Sequence, residues 1–410
     1  MLRLTRSRFR FLSLWASFIA FLMILLLQTT IPAFSQQSRP ASRPAFAPTT
    51  QELRGVWLTN VDSQVMFSEA GIQQAFQQLA NLRFNTVYPA VWNWGYTQYP
   101  SKVTGQTFGV TVDPREPGLQ DRDALAEMVA IGHRRGLQII PWFEFGFMTT
   151  AESELASQHP GWVTRRRDGT EIWQEGIYDR RWLNPFHPEV QQFIQNLVLE
   201  IVTQYDIDGI QFDDHFGLPT EFGYDPYTVQ LYRQDHRGQS PPSDPQNPEW
   251  IRWRANKITS FQRQLFRAIK DQKEGVIVSL SPNRYDFALN RHLQDWRTWE
   301  REGLIEELIL QVYTNRIDGF LTELARPEVQ EARSHIPTAI GILTGLKDRP
   351  IPIRQVEEQV RTVRQQGFPG VSFFFYETLW NLTNEVPSDR QSIFQSLFTQ
   401  SVIRPTIVKP

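Results

Sequence analysis

Tyr205-Asp206-Ile207-Asp208-Gly209-Ile210-Gln211-Phe212-Asp213-Asp214-His215 is the stretch on which the fold turns. Ile207, Ile210 and Phe212 give the apolar, partly β-branched signal of a short buried strand, and Gly217 and Pro219 close it. Side chains alternate along a strand, so Gln211 and Asp213 share one face while Ile210, Phe212 and Asp214 share the other. With the apolar face packed outward on helices, Asp213 points inward at the C-terminal strand end. Asp214 is then a neighbour that holds loops or His215 in place. Acidic pairs also serve plain turns, so the remaining strands decide the matter.

Working outward, strand-like and helix-like segments alternate from residue 52 onward. Strand-like runs cover 54–60, 85–92, 138–145, the central stretch, 275–281, 307–313, 338–343 and 370–376. Helix-like runs cover 69–82, 123–135, 189–204, 248–272, 292–302, 319–334, 354–366 and 388–400. Eight such units in roughly 350 residues match a (β/α)8 TIM barrel with long loop insertions. The strands read as near-continuous apolar runs, as parallel strands buried on both faces should. A doubly wound open sheet is the alternative, but no Gly-rich phosphate loop follows the first strand. The expected barrel is 52–400, with 401–410 as a tail.

The composition, 40% hydrophobic and 21% charged, is that of a globular protein and excludes a disordered chain. A formal charge of −2 gives no reason to expect nucleic acid or an anionic membrane as partner. Aromatic residues make up 13%, which suits sugar-stacking surfaces as well as a large core. Arg3, Arg6, Arg8 and Arg10 precede an apolar run over 11–27, and Ala33 and Ser35 fit a cleavage site after Ser35. The run is short for a span, so residues 1–35 read as a signal peptide, with an uncleaved anchor as alternative. Its removal lowers the charge by four, to −6, and residues 36–51 read as a flexible leader. The expected location is periplasmic or extracellular. The chain has no Cys, so its stability rests on its core, without disulfides.

In a barrel, polar residues at C-terminal strand ends converge on one mouth. They are Asn60 and Asp62, Trp92 and Asn93, Glu144, the Asp213-Asp214-His215 cluster, Ser281 and Asn283, Gln311 and Tyr313, Thr344, and Tyr376 and Glu377. Carboxylates, amides and aromatics are the chemistry of a sugar site, and glycoside hydrolysis needs two carboxyls. Asp213 is read as nucleophile or base, while Glu144 and Glu377 compete to be the acid, each following an apolar run that would raise its pKa. Asn60, Asp62, Trp92, Asn184, His215, Asn283, Gln311, Tyr313 and Tyr376 are candidate substrate contacts. The Trp-rich loops at 92–99 and 162–182 are either sugar walls or lids. A hard-metal site of Asp213, Asp214 and Glu144 is the rival. The histidines form no HxH or HExxH pattern, so no metal or cofactor is expected.

These residues resemble the glycosyl hydrolase-like 10 family of exported bacterial TIM barrels. The resemblance rests on Glu52-Leu53-Arg54-Gly55-Val56-Trp57-Leu58-Thr59, Phe84-Asn85-Thr86-Val87-Tyr88, Trp182-Leu183-Asn184-Pro185, His187-Pro188-Glu189-Val190, 205–214 and Ser281-Pro282-Asn283. It implies a glycosidase and, for some members, peptidoglycan glycan strands as substrate. The chain departs from the family in carrying His215 where an aromatic usually continues the central strand. That strand is also similar to the one in α-amylase-like barrels, where the Asp at the position of Asp213 is the nucleophile. Gln211 here replaces the basic residue found two positions earlier in those barrels, and Gln311 replaces an acid. A carbohydrate-binding barrel without activity and a metal-dependent polysaccharide deacetylase or similar hydrolase are the other expectations.

Overall fold

The computed structural model describes residues 51–407. The expected signal peptide and most of the expected leader lie outside the described residues. Eight parallel strands close into a barrel: β1 (Leu53–Leu58), β2 (Thr86–Asn93), β3 (two short runs, Gln138–Ile139 and Trp142–Phe143), β4 (Gly209–Asp213), β5 (Ile277–Ser281), β6 (Glu307–Gln311), β7 (Thr338–Leu343) and β8 (Gly370–Phe374). Each strand pairs with the next, and β1 closes the ring on β8, with Gly55 opposite Ser372. The TIM-barrel expectation holds.

Helices follow the strands and bury one apolar stripe each. The Pro188–Gln204 helix starts with Pro at its first turn, a position that needs no N–H. It buries Val190, Phe193, Ile194, Leu197, Val198 and Ile201, a 3–4 spacing that faces the barrel. Its buried Glu200 accepts hydrogen bonds from Ser101, Tyr99 and the backbone N–H of Lys102, and so fixes the start of the Lys102–Phe108 helix in the insertion that follows β2.

Several boundaries differ from the reading of the sequence, each for a local reason. The third strand breaks between Ile139 and Trp142, where Pro141 has no N–H to give the ladder. The helix expected over 319–334 is two, Ile317–Leu324 and Pro327–His335, because Pro327 starts a new one. In place of a helix over 292–302 stand Tyr285–His292 and Trp296–Arg301, separated by Leu293 at φ 54°. The break frees Gln294 to reach the Asp213 carbonyl at 2.7 Å. The 146–188 excursion holds a three-stranded antiparallel sheet of Met148–Thr150, Trp173–Glu175 and Tyr178–Trp182.

A chain of hydrogen bonds crosses the barrel interior. Trp57 donates to Gln211 Oε1 (2.7 Å), Gln211 to Ser279 Oγ (2.9 Å) and Ser279 to Glu307 Oε1 (2.8 Å). Glu307 pairs with Arg404, which comes from the expected tail. Residues 401–407 are thus not a loose end: Ile403 bridges Gln51, and Arg404 is buried against Tyr88 and Glu307. A charge taken from water needs such a partner.

Candidate active site

β3 and β4 pair with Phe143 opposite Phe212. These two rings pack outside the ring of strands, 5.7 Å apart. Alternation therefore turns the next residues, Glu144 and Asp213, inward as neighbours at the mouth. Asp213 is only 2% exposed. Its Oδ2 accepts from Trp142 Nε1 (3.1 Å) and its Oδ1 from the His215 backbone N–H (3.0 Å), with His215 Nδ1 3.4 Å away. Burial pushes the Asp213 carboxyl up to about 7, against the pull of His215.

Glu144 accepts from Asn93 Nδ2 at 2.6 Å. Burial, and then the charge of Asp213, push its carboxyl up to about 8, so it holds its proton at neutral pH. His215 lies between acceptors: Nδ1 is 2.7 Å from the Glu144 carbonyl oxygen and Nε2 is 3.4 Å from Glu175 Oε1. Only an imidazolium donates from both nitrogens. Although burial opposes its charge, Asp214, Asp213 and Glu175 raise it well above the usual histidine range. Glu175 also accepts from Arg180 Nε (3.0 Å), and despite burial these two cations hold it down at about 2.

Asp214 faces the same mouth, which corrects its expected place on the opposite face; the strand ends at Asp213 and the alternation with it. Asn283 Nδ2 (2.7 Å) and Gln311 Nε2 (3.2 Å) donate to its two oxygens. Tyr313 lies close enough to feel the charges of Asp214, Asp213 and Glu144, its ring 5.7 Å from that of Phe374. Asn60 accepts from the same Asn93 amide that binds Glu144. Asp62 pairs with Lys347 at 2.9 Å.

Four residues expected at the site stand elsewhere. Trp92 is fully buried, donates to the Gly146 carbonyl and packs on Phe193 of the Pro188–Gln204 helix. A register shift between Ala90 and Trp92 inverts the alternation, so Asn93 turns inward in its place. Asn184 is buried in contact with Asp225 and Thr228. Tyr376 bonds Gln78 on the Glu69–Asn81 helix. Glu377 ties Ser63 to Asn381. Of the two acid candidates, the fold brings Glu144 beside Asp213.

The strand-end pattern missed Glu175 and Arg180, which reach the site from the antiparallel insertion, and Trp142, whose indole N–H no strand pattern could orient. Asp213, Asp214 and His215 bring ligand-type atoms within 4.8 Å of one another. However, His215 Nδ1 must carry a hydrogen toward the Glu144 carbonyl, and both Asp214 oxygens are engaged by amides. That donor set is arranged for an anionic carboxylate pair more than for a cation.

The model of the family described as glycosyl hydrolase-like 10 matches residues 52–362. The chain is 27% identical over 342 residues to glycosyl hydrolase DigH of Escherichia coli strain K12, covering 73% of this chain and 74% of that one. Against glycosyl hydrolase YngK of Bacillus subtilis strain 168 it is 24% identical over 311 residues, 66% of this chain and 55% of the relative. Among solved structures, the PgaB glycoside hydrolase domain from Bordetella bronchiseptica superposes with a TM-score of 0.64 at 13% identity, over 86% of this chain and 100% of that domain. α-L-Fucosidase isoenzyme 2 from Paenibacillus thiaminolyticus gives 0.59 at 16%, over 85% and 49%. These likenesses show a shared barrel.

Proposed function

The chain belongs to the glycosyl hydrolase-like 10 family, and on that premise we propose that it is an exported glycoside hydrolase acting on a polysaccharide, with peptidoglycan glycan strands as the substrate class. The observation that carries this reading is the inward pairing of Glu144 and Asp213 on adjacent strands, with Glu144 held neutral. Glu144 protonates the leaving glycosidic oxygen. Asp213, braced by Trp142 and the His215 imidazolium, supplies the anionic carboxylate that attacks the anomeric carbon. Once Glu144 has given up its proton it takes one back from the incoming water, which then releases the sugar. Asn60, Asp62, Asn283, Gln311 and Tyr313 orient substrate or the carboxylates. That DigH and YngK carry the name glycosyl hydrolase supports the reaction class.

A second assignment has its own support. Asp214 is half-buried where Asp213 is nearly closed to solvent, so Asp214 is the alternative anionic partner. Residues 1–35 are removed on export in this reading, leaving Gln36 first. Among the described residues no helix is long and apolar enough to cross a membrane.

The test is release of reducing ends from purified peptidoglycan, intact and freed of its peptides, by protein lacking residues 1–35. Glu144→Gln is expected to lose at least ~100-fold in turnover, as for a removed general acid. Asp213→Asn and Asp214→Asn run beside it, and the more damaging one identifies the anionic carboxylate. Cleavage that survives EDTA supports the reading. Cleavage abolished by EDTA moves the chain to a metal-dependent hydrolase, and retention on glycan without cleavage moves it to a binding barrel. Mass spectrometry of the exported protein checks the cleavage after Ser35.

A further inference from the structure

β2 continues into a hairpin in which Asn93 pairs with Tyr96, so Trp94 and Gly95 form its two-residue turn. Both have positive φ, 58° and 82°. Such a turn favours Asn-Gly, and the left-handed region costs a bulky side chain roughly 1–2 kcal/mol. Gly95 is required, since a Cβ there would meet Thr149 Oγ1 at 2.4 Å. Trp94 is not required by the turn. Strained residues of this kind persist where the surroundings hold them for a purpose.

The surroundings do hold it. The Arg180 guanidinium sits 4.4 Å from the Trp94 ring, 4.9 Å from Phe145 and 4.8 Å from Tyr178, and Tyr178 meets Trp94 edge-on at 5.1 Å. Tyr178 nevertheless stays 44% exposed. Trp94 and Tyr178 form one wall of a groove of about 480 Å³, with Asn60, Asp62, Gln64 and Lys347 along the rest. The groove begins beside the acid, because Asn93 binds Asn60 and Glu144 with one amide.

Most of its charges are paired, with Glu116 leaving about one net negative charge. Lys347 pairs with Asp62, Arg115 pairs with Asp113, and Glu116 also lines the groove. Paired charges keep spare donors and acceptors but create little field to select an ion. Aromatic faces beside neutralised polar groups fit a ring with an apolar face and hydroxyl edges.

We propose that this groove is a second sugar subsite, taking an uncharged hexose or N-acetylhexosamine ring of the chain whose neighbouring bond is cleaved at Glu144. The proposal rests on the glycosidase reading. It makes Trp94 and Tyr178 specificity residues that favour long chains over short ones.

The test is calorimetric binding to full-length mature Glu144→Gln protein of two probe series, each of two, four and six sugars. One series is β-1,4-linked N-acetylglucosamine and the other is peptide-free peptidoglycan strand. Affinity is expected to rise roughly three- to tenfold with length in at least one series. Adding Tyr178→Ala flattens the rise and Tyr178→Phe keeps it. Trp94→Asn, which suits the turn, also flattens it, so a folding defect does not mimic the result. A rise that survives both Tyr178→Ala and Trp94→Asn overturns the subsite, as does no rise in either series. Wild-type cleavage of the same probes separates the two ideas: cleavage without length-dependent binding overturns the subsite alone, whereas absence of both overturns the glycosidase reading with it.

Discussion

Glu144→Gln is expected to abolish activity and to stabilise the fold, increasingly so as pH rises. The Glu144 carboxyl is pushed from 4.5 in the open chain to about 8 in the folded one, by burial first and the Asp213 charge second. A group raised in this way contributes stability that is fully present below pH 4.5 and is lost as pH climbs through 8. The rise is worth at most ~5 kcal/mol above pH 8, and ~1 kcal/mol of it is already lost at pH 5.5. The carboxyl reaches the barrel mouth, where water weakens such effects, so roughly half of the remaining ~4 kcal/mol between pH 5.5 and 8.5 is expected, about 2 kcal/mol. Glutamine keeps the shape and the Asn93 contact without the titration. Urea unfolding of both proteins at pH 5.5 and 8.5 reads this directly, as a midpoint difference that widens with pH at constant slope. A difference that stays constant with pH, or a variant less stable than wild type at pH 8.5, would refute a neutral, desolvated Glu144.

Further outcomes follow from the same geometry. The pH–rate profile of cleavage is expected to be a narrow bell for the carboxyl pair, with limbs near 7 and 8, read by initial rates. His215→Asn removes the cation 3.4 Å from Asp213, so the acid limb moves upward by about 1–2 units; an unmoved limb argues against Asp213 as the titrating carboxylate. Arg404→Met leaves Glu307 without its buried partner and is expected to cost about 3–5 kcal/mol in urea unfolding. Double displacement needs carboxyls about 5–5.5 Å apart; it is the course expected for Glu144 and Asp213, which follow paired residues of adjacent strands, so nuclear magnetic resonance of the first product should show retained anomeric configuration.

The barrel was legible because alternating apolar runs and helix starts are local signals. Pro248 at a first turn and the even run of 338–343 gave their elements to the residue. The strand-end rule then collected Glu144, Asp213, Asp214, Asn283 and Gln311 without knowledge of any contact. It misplaced Trp92 because one bulge inverts a period-two pattern and leaves no mark in composition. Tyr376 and Glu377 were misplaced because the chain turns into the Tyr376–Trp380 helix straight after β8. Glu175 was beyond reach, since it is 40 residues from His215 in sequence and its strand is three residues long. The break at Leu293 was equally hidden: a left-handed leucine is held there by the demand for Gln294 at the central strand.

The pairing of Glu307 with Arg404 also bears on when the molecule can finish folding. A chain made only as far as residue 400 contains every strand of the ring, yet its innermost carboxylate has no counter-charge. Closing the ring at that stage would bury a lone anion, so the incomplete chain is better left open. Completion therefore waits for a residue that belongs to no strand or helix.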